Sequence, residues 1–173
     1  MKNYRLKAFC KINLSLRVLK KLKNGYHKIQ SFVTFGDLHD EITVKESRRA
    51  DDKIIFFGRF KKGIDSRLNT ITKVLEIFRK KNLLNKKKFI IKIKKNIPHS
   101  SGLGGGSSDA AVLLNFINLK MNLRLNRSKI YKMGNLVGSD VPLNLVQKDL
   151  FLTGKRLKIL KSKKNINILI VFS

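Results

Sequence analysis

A glycine-rich segment in the middle of the sequence has the composition of a phosphate-binding loop. Its four glycines let the backbone approach a ligand without side-chain clashes and adopt positive φ angles. Free N–H groups at the start of the following helix, together with the helix dipole, favour an anion there. Two adjacent serines add hydroxyl donors, so the segment predicts a polyphosphate site. Its candidate binding residues are Pro98, His99, Ser100, Ser101, Gly102, Leu103, Gly104, Gly105, Gly106, Ser107 and Ser108.

The spacing of these glycines excludes the common nucleotide-binding loops. No Gly-Lys-Ser or Gly-Lys-Thr triplet closes the segment, so it is not a P-loop of the Walker A type. In a dinucleotide-binding fingerprint that starts with Gly102 and Gly104, the third glycine would fall at Ser107. The same spacing excludes the glycine loop of protein kinases. A merely structural loop before a capped helix is the alternative, and the number of glycines and serines favours a phosphate site.

Acidic side chains are scarce in the second half of the sequence, which makes each of them a candidate for chemistry. Only three follow Glu76: Asp109, Asp140 and Asp149. A carboxylate can accept the proton of an attacking hydroxyl during phosphoryl transfer. An isolated acid is more often a helix cap or a surface group, so position alone does not choose among the three.

The segment over residues 98–111 resembles the phosphate-binding motif of the GHMP small-molecule kinases. Two further segments resemble signatures of that family and follow in its order, namely residues 11–14 with 25–27, and residues 138–142. Three consecutive glycines followed by Ser-Ser-Asp-Ala-Ala are similar to one branch of the family. That branch uses ATP to phosphorylate the 2-hydroxyl of 4-diphosphocytidyl-2-C-methyl-D-erythritol, in the non-mevalonate pathway to isoprenoid precursors.

The resemblance implies a catalytic pair and two cofactors. Asp140 is implied as the base that takes the hydroxyl proton, and Lys11 as the cation that keeps it ionised and orients the hydroxyl. ATP is implied as the phosphoryl donor, and Mg²⁺ is expected with it, with Ser108 as a candidate hydroxyl ligand. By composition alone Lys11 is one lysine among 29, so its role depends on the motif.

The resemblance also assigns residues to the small-molecule substrate. Tyr26 is implied to stack on the cytosine ring and His27 to hydrogen-bond its edge. The alternatives are an aromatic side chain packed on the sheet and a solvated histidine. Asn13 is expected to contact the erythritol or its phosphate. Asn69 resembles a position that helps to read adenine, and it fits a helix N-cap equally well.

Periodicity along the chain predicts the elements that position these residues, and their class is α+β. The predicted strands span 6–19, 29–35, 41–45 and 86–95, with two or three more in the tail, ending in the run 166–172. The predicted helices span 66–81 and 128–137. A third helix is predicted near Ala110, capped by Ser107 or Ser108, with Asp109 in its first turn. Asn24 and Gly25 predict a tight hairpin turn.

The family resemblance adds an expectation about the domain. It implies a fold similar to the second domain of ribosomal protein S5, which forms the N-terminal, ATP-binding and catalytic half of GHMP kinases. We therefore expect residues 1–173 to be that domain. The C-terminal GHMP domain is expected to be absent from this chain, as in an inactive fragment or a truncated gene product. An apolar surface that this domain normally covers would then be exposed.

The sequence is strongly basic, and two explanations fit its charge. Lys and Arg number 39 against 11 Asp and Glu, which gives a formal net charge of +28. Such a balance is typical of nucleic-acid-binding proteins. Lysine-rich drift in an AT-rich genome is the other explanation, since 29 of the cations are lysine. The kinase interpretation needs no specific nucleic acid.

Two alternative functions follow from these features. The first is a basic RNA-binding module with the S5-like fold, and the second is a GHMP kinase for another small alcohol. The phosphate contacts of an RNA-binding module would be Lys86, Lys87, Lys88, Lys92, Lys94 and Lys95. An arginine-rich stripe and interleaved aromatic residues, both typical of such modules, are missing from that region.

Other features limit the location of the protein. No apolar run approaches the 18 residues of a transmembrane helix, and no apolar stretch follows the N-terminal cations as in a secretory signal. The single cysteine, Cys10, excludes an internal disulfide and a cysteine-rich zinc site. We interpret it as a buried, unreactive thiol. These features predict a cytoplasmic protein without membrane contact.

Overall fold

A computed structural model of the protein describes residues 2–22, 25, 27–65, 67–154, 156–161 and 167–171. The strands in these ranges are β1 (Asn3–Lys21), β2 (His27–Ser47), β3 (Lys53–Phe57), β4 (Lys88–Lys94), β5 (Leu150–Thr153) and β6 (Arg156–Ile159). The helices are α1 (Thr70–Lys80), α2 (Gly105–Lys120), α3 (Arg127–Val137) and α4 (Val141–Asn144). No helix in these ranges is long and apolar enough to span a membrane.

The strands form one mixed sheet around the long strand β2. β1 runs antiparallel to β2 as a hairpin, from Asn3 opposite Lys45 to Lys21 opposite His27. β4 and β5 pair antiparallel with different parts of β2, while β3 pairs parallel with β4 and β6 antiparallel with β5. Gly25, with a φ of +81°, lies in the turn of the hairpin. The α+β class and the hairpin are both confirmed.

The helices cover one face of the sheet because apolar and polar side chains alternate along its strands. In β4, Phe89, Ile91 and Ile93 are buried, whereas Lys92 is exposed, as the sequence predicts. α2 packs against β1, α1, α3 and α4. Buried residues lie on all sides of α2, as expected of a helix enclosed by other elements. The core therefore holds α2 firmly, and with it the end of the glycine-rich segment.

The predicted strands 29–35 and 41–45 are wrong as separate elements, because both belong to β2. The ladder between β1 and β2 resumes after a bulge between Phe9 and Lys11, so the paired segment continues through the intervening residues. β3 and α4 are absent from the prediction. Each is too short to show a clear period in the sequence.

The ends of other elements also differ from the prediction. α1 begins at Thr70 rather than near position 66, because Asn69 is its N-cap. In the tail, β5 and β6 match the predicted strands, but residues 167–171 form no strand, and the rest of the run 166–172 lies outside the described residues. Cys10 is fully buried, and burial raises the pKa of its thiol. This agrees with an unreactive side chain.

Candidate active site

Residues 98–104, which we call the glycine loop, connect the end of β4 to the start of α2 along a cleft of about 450 Å³. Ser100, Gly102 and Gly104 adopt positive φ angles of 59°, 77° and 68°. The hydroxyl of Ser101 donates to the carbonyl of Pro98 at 2.8 Å. Glycine reaches this left-handed conformation at no steric cost, which explains its presence at two of the three positions. The loop is therefore tightly folded, and the cleft has the size of a small-molecule site.

The start of α2 differs from the predicted one. The helix begins at Gly105, and its N-cap is Gly104, with no side-chain capping bond. The predicted caps Ser107 and Ser108 and the first-turn position of Asp109 are therefore wrong, since all three lie further inside the helix. Glycine has low helix propensity, but Gly105 begins the helix at a position where a side chain would press on Ile97 and Asp40. The N–H groups of this turn lie along the cleft, where a helix N-terminus attracts an anion.

The two serines that follow the glycines occupy different environments. Ser107 lines the cleft. Ser108, the predicted hydroxyl ligand of Mg²⁺, is fully buried, and its hydroxyl accepts a hydrogen bond from Gln147 Nε2 at 3.1 Å. Of these two serines, Ser107 is the one that lines the cleft.

Lys11 and Asp140, which we call the open pair, lie together at the cleft. Lys11 Nζ is 3.5 Å from Asp140 Oδ2, and the lysine side chain is 6% exposed against 46% for the aspartate. The N–H of Lys11 donates to the carbonyl of Leu103 at 2.8 Å, which attaches β1 to the glycine loop. Asp140 lines the cleft and makes no capping bond to α4. Its carboxylate is therefore held by a cation on one side and open to a ligand on the other.

Asp149, the third late acid, has a different environment. Its Oδ1 accepts a hydrogen bond from the hydroxyl of Thr34 at 2.6 Å, and its carbonyl accepts the N–H of Leu160 at 2.8 Å. These bonds join the tail to the sheet. The structure therefore separates a structural aspartate from the one at the cleft.

The predicted substrate residues are not all brought together. Asn13 lies beside the open pair, where its Oδ1 accepts hydrogen bonds from Lys11 Nζ at 3.4 Å and from Ser31 Oγ at 3.2 Å. His27 is exposed at the far end of the hairpin, eight residues along β2 from the partner of Lys11. That separation is roughly 26 Å of strand. Tyr26 lies outside the described residues, so its contact with cytosine stays a prediction.

Asn69 caps α1 and also lines the cleft. Its Oδ1 accepts the N–H of Thr72 at 2.9 Å, and its Nδ2 donates to the carbonyl of Asp65 at 2.9 Å. The N-cap alternative is thus confirmed, while a contact with adenine stays a prediction. The hydroxyl of Thr70 donates to the carbonyl of Gly106 at 2.8 Å. The first turns of α1 and α2 are therefore joined at the edge of the cleft.

Behind the glycine loop, Asp40, Lys95 and Asp109 form a cluster that the sequence did not predict, which we call the buried cluster. Lys95 Nζ donates to Asp109 Oδ2 at 2.7 Å and also to Asp40 Oδ2. Burial alone would lower the pKa of Lys95, but the charges of Asp109 and Asp40 outweigh it and raise that pKa. Burial, helped by the charge of Asp40, raises the pKa of Asp109 to about 7 although Lys95 opposes this. The scarcity of late acids pointed to Asp109, but nothing distinguished Lys95 among the lysines.

The lysines of the RNA alternative do not form one free surface. Lys95 is buried in the cluster just described. Three others pair with acids: Lys87 with Glu46 at 3.1 Å, Lys88 with Asp51 at 3.6 Å and Lys94 with Glu41 at 3.2 Å. Much of the apparent positive patch is thus neutralised locally, so this alternative is not favoured.

Comparisons with known proteins agree with this geometry. The family model described as "GHMP kinases N terminal domain" matches residues 69–148, which include the glycine loop and Asp140. A 4-diphosphocytidyl-2-C-methyl-D-erythritol kinase of Pelagibacter ubique (strain HTCC1062) is 43% identical over 171 residues, 98% of this chain. The enzyme with the same name in Caldicellulosiruptor saccharolyticus (strain ATCC 43494 / DSM 8903 / Tp8T 6331) is 35% identical over 95% of this chain.

The chain belongs to the GHMP kinase family. A crystal structure of a 4-(cytidine 5'-diphospho)-2C-methyl-D-erythritol kinase superposes with a TM-score of 0.72 at 26% identity, covering 91% of this chain and 55% of that one. The mevalonate kinase of Methanococcus jannaschii, with a TM-score of 0.62 at 19% identity, covers 94% and 57% and shares the fold. The predicted fold class and family are therefore confirmed.

This GHMP kinase chain matches only part of its relatives. It spans 60% of the Pelagibacter protein and 57% of the Caldicellulosiruptor protein. All the motifs that carry the resemblance fall within the matched part. The site described above can thus be compared with the family directly, while the activity of the whole protein is a matter for proposal.

Proposed function

We propose that this protein is an ATP-dependent kinase that phosphorylates the 2-hydroxyl of 4-diphosphocytidyl-2-C-methyl-D-erythritol. The observation that carries the proposal is the placement of Lys11 Nζ 3.5 Å from Asp140 Oδ2, beside a glycine loop that leads into a helix N-terminus. Phosphoryl transfer needs a place for the phosphates and a group that takes the hydroxyl proton. The cleft offers both within one site.

The phosphates of ATP would lie along the glycine loop and the first turn of α2. Main-chain N–H groups and the helix dipole there attract negative charge. The adenine would lie toward the apolar part of the cleft, which Phe56, Leu68 and Ile97 line together with Asn69. This assignment keeps residues 98–108 in their predicted role. Ser108 is the exception, because its buried hydroxyl would act through Gln147 rather than on the nucleotide.

The open pair would carry the chemistry. The hydroxyl oxygen of the substrate forms a bond to the γ-phosphorus, and the bond from that phosphorus to the β–γ bridging oxygen breaks. Asp140 accepts the hydroxyl proton, and its exposed side permits the approach of a hydroxyl group. Lys11 holds the carboxylate in place and presents positive charge to the reacting oxygens.

Mg²⁺ would fit this site mainly as a companion of ATP. Among the described residues no group of three or more His, Cys, Asp or Glu side chains can hold a metal ion. Mg²⁺ commonly binds through substrate phosphates and one or two protein oxygens, and the cleft offers the hydroxyl of Ser107 and the carboxylate of Asp140. When bound, the ion would neutralise charge on the phosphates.

The substrate assignment is supported by the names of the similar proteins and by the position of Asn13. The names of the two relatives specify a cytidine-diphosphate-linked methylerythritol. Asn13 beside the open pair is suited to the erythritol end. The family resemblance assigns Tyr26 and His27 to the cytosine, although His27 lies roughly 26 Å along β2 from the partner of Lys11. We further propose that residues 1–173 supply the nucleotide-binding and catalytic part of a cytoplasmic enzyme.

A direct assay tests this proposal. The protein expressed from the full open reading frame that contains these residues is incubated with Mg²⁺, ATP and 4-diphosphocytidyl-2-C-methyl-D-erythritol, and the product is followed by phosphorus NMR. We expect a new phosphomonoester signal that depends on the substrate. Homoserine and mevalonate serve as competing alcohols. Equal or faster phosphorylation of either one, or no phosphorylation of any, would contradict the proposal.

A further inference from the structure

We infer that the buried cluster sets the position of the glycine loop, and that Lys95 is a positioning residue for nucleotide binding. Lys95 and Asp109 line the back of the cleft but are almost fully buried, and the open pair is a separate ion pair. The buried cluster links the two ends of the loop to each other and to β2. The nucleotide part of the inference rests on the proposed function, whereas the structural part can be tested without any ligand.

The three side chains of the buried cluster come together from separate parts of the fold. Each comes from a different element: Asp40 from β2, Lys95 from the residue after β4, and Asp109 from α2. Lys95 Nζ donates to both carboxylates, and the three side chains are 0–4% exposed. One ammonium group therefore connects the strand that enters the loop, the helix that leaves it and the central strand of the sheet.

The entry to the glycine loop is held by Asp40. Asp40 Oδ1 accepts the backbone N–H of Asn96 at 2.6 Å and that of Ile97 at 2.9 Å. These are the last two residues before Pro98. The N–H of Lys95 also donates to the carbonyl of Phe57 at 2.7 Å. The backbone direction at the loop entry is thus fixed by a carboxylate that Lys95 in turn holds.

The exit from the glycine loop packs against the same buried cluster. A Cβ atom added at Gly105 would lie 3.1 Å from Ile97 Cγ2 and 3.4 Å from Asp40 Oδ2. The first residue of α2 therefore packs directly on the cluster. One turn later, Asp109 receives the ammonium group of Lys95. Entry and exit are consequently held against the same buried charge.

Stability alone does not explain the buried cluster. Taking three charges out of water is costly, and well-packed apolar side chains often serve stability as well or better. Asp109 Oδ1 is buried and has no hydrogen-bond partner among the described residues, a further cost. Apolar side chains could not connect β2, the end of β4 and α2 through directed bonds. A directional clamp on the loop is what these charges provide.

The experiment compares Lys95→Met with Lys94→Met in the 173-residue chain. Lys94 is the matched control, because it is the adjacent lysine and pairs with Glu41 in an exposed bridge. Amide hydrogen exchange is measured without ligand at Asn96, Ile97 and Ser108, relative to the amides of α3. The double variant Lys95→Met/Asp109→Asn is included because it leaves no unpaired carboxylate at position 109 if the single variant folds poorly.

We expect exchange at the loop ends to accelerate at least tenfold more than exchange in α3 in both Lys95 variants, and not in Lys94→Met. In a second arm, calorimetry with ATP is expected to show affinity lowered about tenfold by the Lys95 variants and unchanged in Lys94→Met. Uniform acceleration across α3 and the loop ends would overturn the positioning role. If the unmodified chain binds no ATP, the proposal that residues 1–173 supply the nucleotide-binding part fails, and the exchange arm alone decides the inference.

Discussion

Two lysines of this protein are held by aspartates, but their surroundings give the two sites opposite properties. In the open pair, the Asp140 side chain is 46% exposed beside Lys11, so a hydroxyl group can approach and a proton can leave. In the buried cluster, Lys95, Asp40 and Asp109 are closed to solvent. Charges attract more strongly in such a low-dielectric site, and although Lys95 and Asp109 line the cleft, they expose almost no surface to a ligand. Exposure therefore separates a carboxylate that can react from carboxylates that only hold backbone in place.

The largest expected effect is on turnover, at the open pair. Asp140→Asn keeps the shape of the side chain but removes the base, so turnover should fall by about 10²- to 10⁴-fold. ATP affinity measured without Mg²⁺ should stay unchanged, because the loop and α2 are not altered. Steady-state kinetics and calorimetry on the protein from the full reading frame check both values. Asp149→Asn is the control, since its carboxylate bonds to Thr34 outside the cleft. Normal turnover in Asp140→Asn would remove the proposed base.

The next effect is on stability, at the buried cluster. Lys95→Met leaves buried carboxylates without their cation, which should lower the free energy of unfolding by about 3–5 kcal/mol. Lys94→Met should leave it nearly unchanged, because the side chains of Lys94 and Glu41 are about half exposed and form a surface ion pair. Urea denaturation of the three proteins measures the difference. Similar losses in both variants would show that the two lysines do not differ as their burial indicates.

The third effect is a pH dependence that only the buried cluster should show. Asp109 has a folded-state pKa of about 7 against 3.8 for an ordinary aspartate, so the folded state binds the proton more tightly. Stability from this group is therefore complete below about pH 4 and is lost as the pH rises toward 7, by at most about 1.4 kcal/mol per unit. Asp109→Asn should flatten this slope. Urea denaturation between pH 4.5 and 7.5 tests it, and parallel slopes for the two proteins would contradict it.

The smallest expected effect distinguishes two adjacent glycines of α2. Gly105→Ala would press a methyl group on Ile97 and Asp40, and it should lower the free energy of unfolding by about 1 kcal/mol. Gly106→Ala has only an ordinary contact with Thr70, so it should raise that energy by up to about 1 kcal/mol through helix propensity. Thermal denaturation without nucleotide compares them. Changes of the same sign would show that the cluster does not crowd the start of α2.

Much of the fold could be predicted because its strands and helices show clear periods. The alternation in β4 predicted that strand, and the hairpin turn signal predicted the return of the chain from β1 into β2. The sequence predicted two strands where β2 is continuous. The segment with Gly36 and Asp40 has turn-forming residues, but the ladder to β1 keeps it within the strand. The start of α2 was misjudged for a related reason. Glycines normally end helices, but here packing on Asp40 and Ile97 favours a glycine at position 105, the first residue of α2.

The candidate site likewise combines features that the sequence predicts with features that only the tertiary structure decides. The order of its motifs along the sequence determined the family, the loop and the candidate pair of Lys11 and Asp140, because these depend on residue type and local spacing. Only the tertiary structure decided that the pair meets at 3.5 Å, that Ser108 is buried and that Lys95 lies between two carboxylates. Burial and partner choice arise from contacts between distant segments. In a chain with 29 lysines, residue type cannot show which lysine is excluded from water.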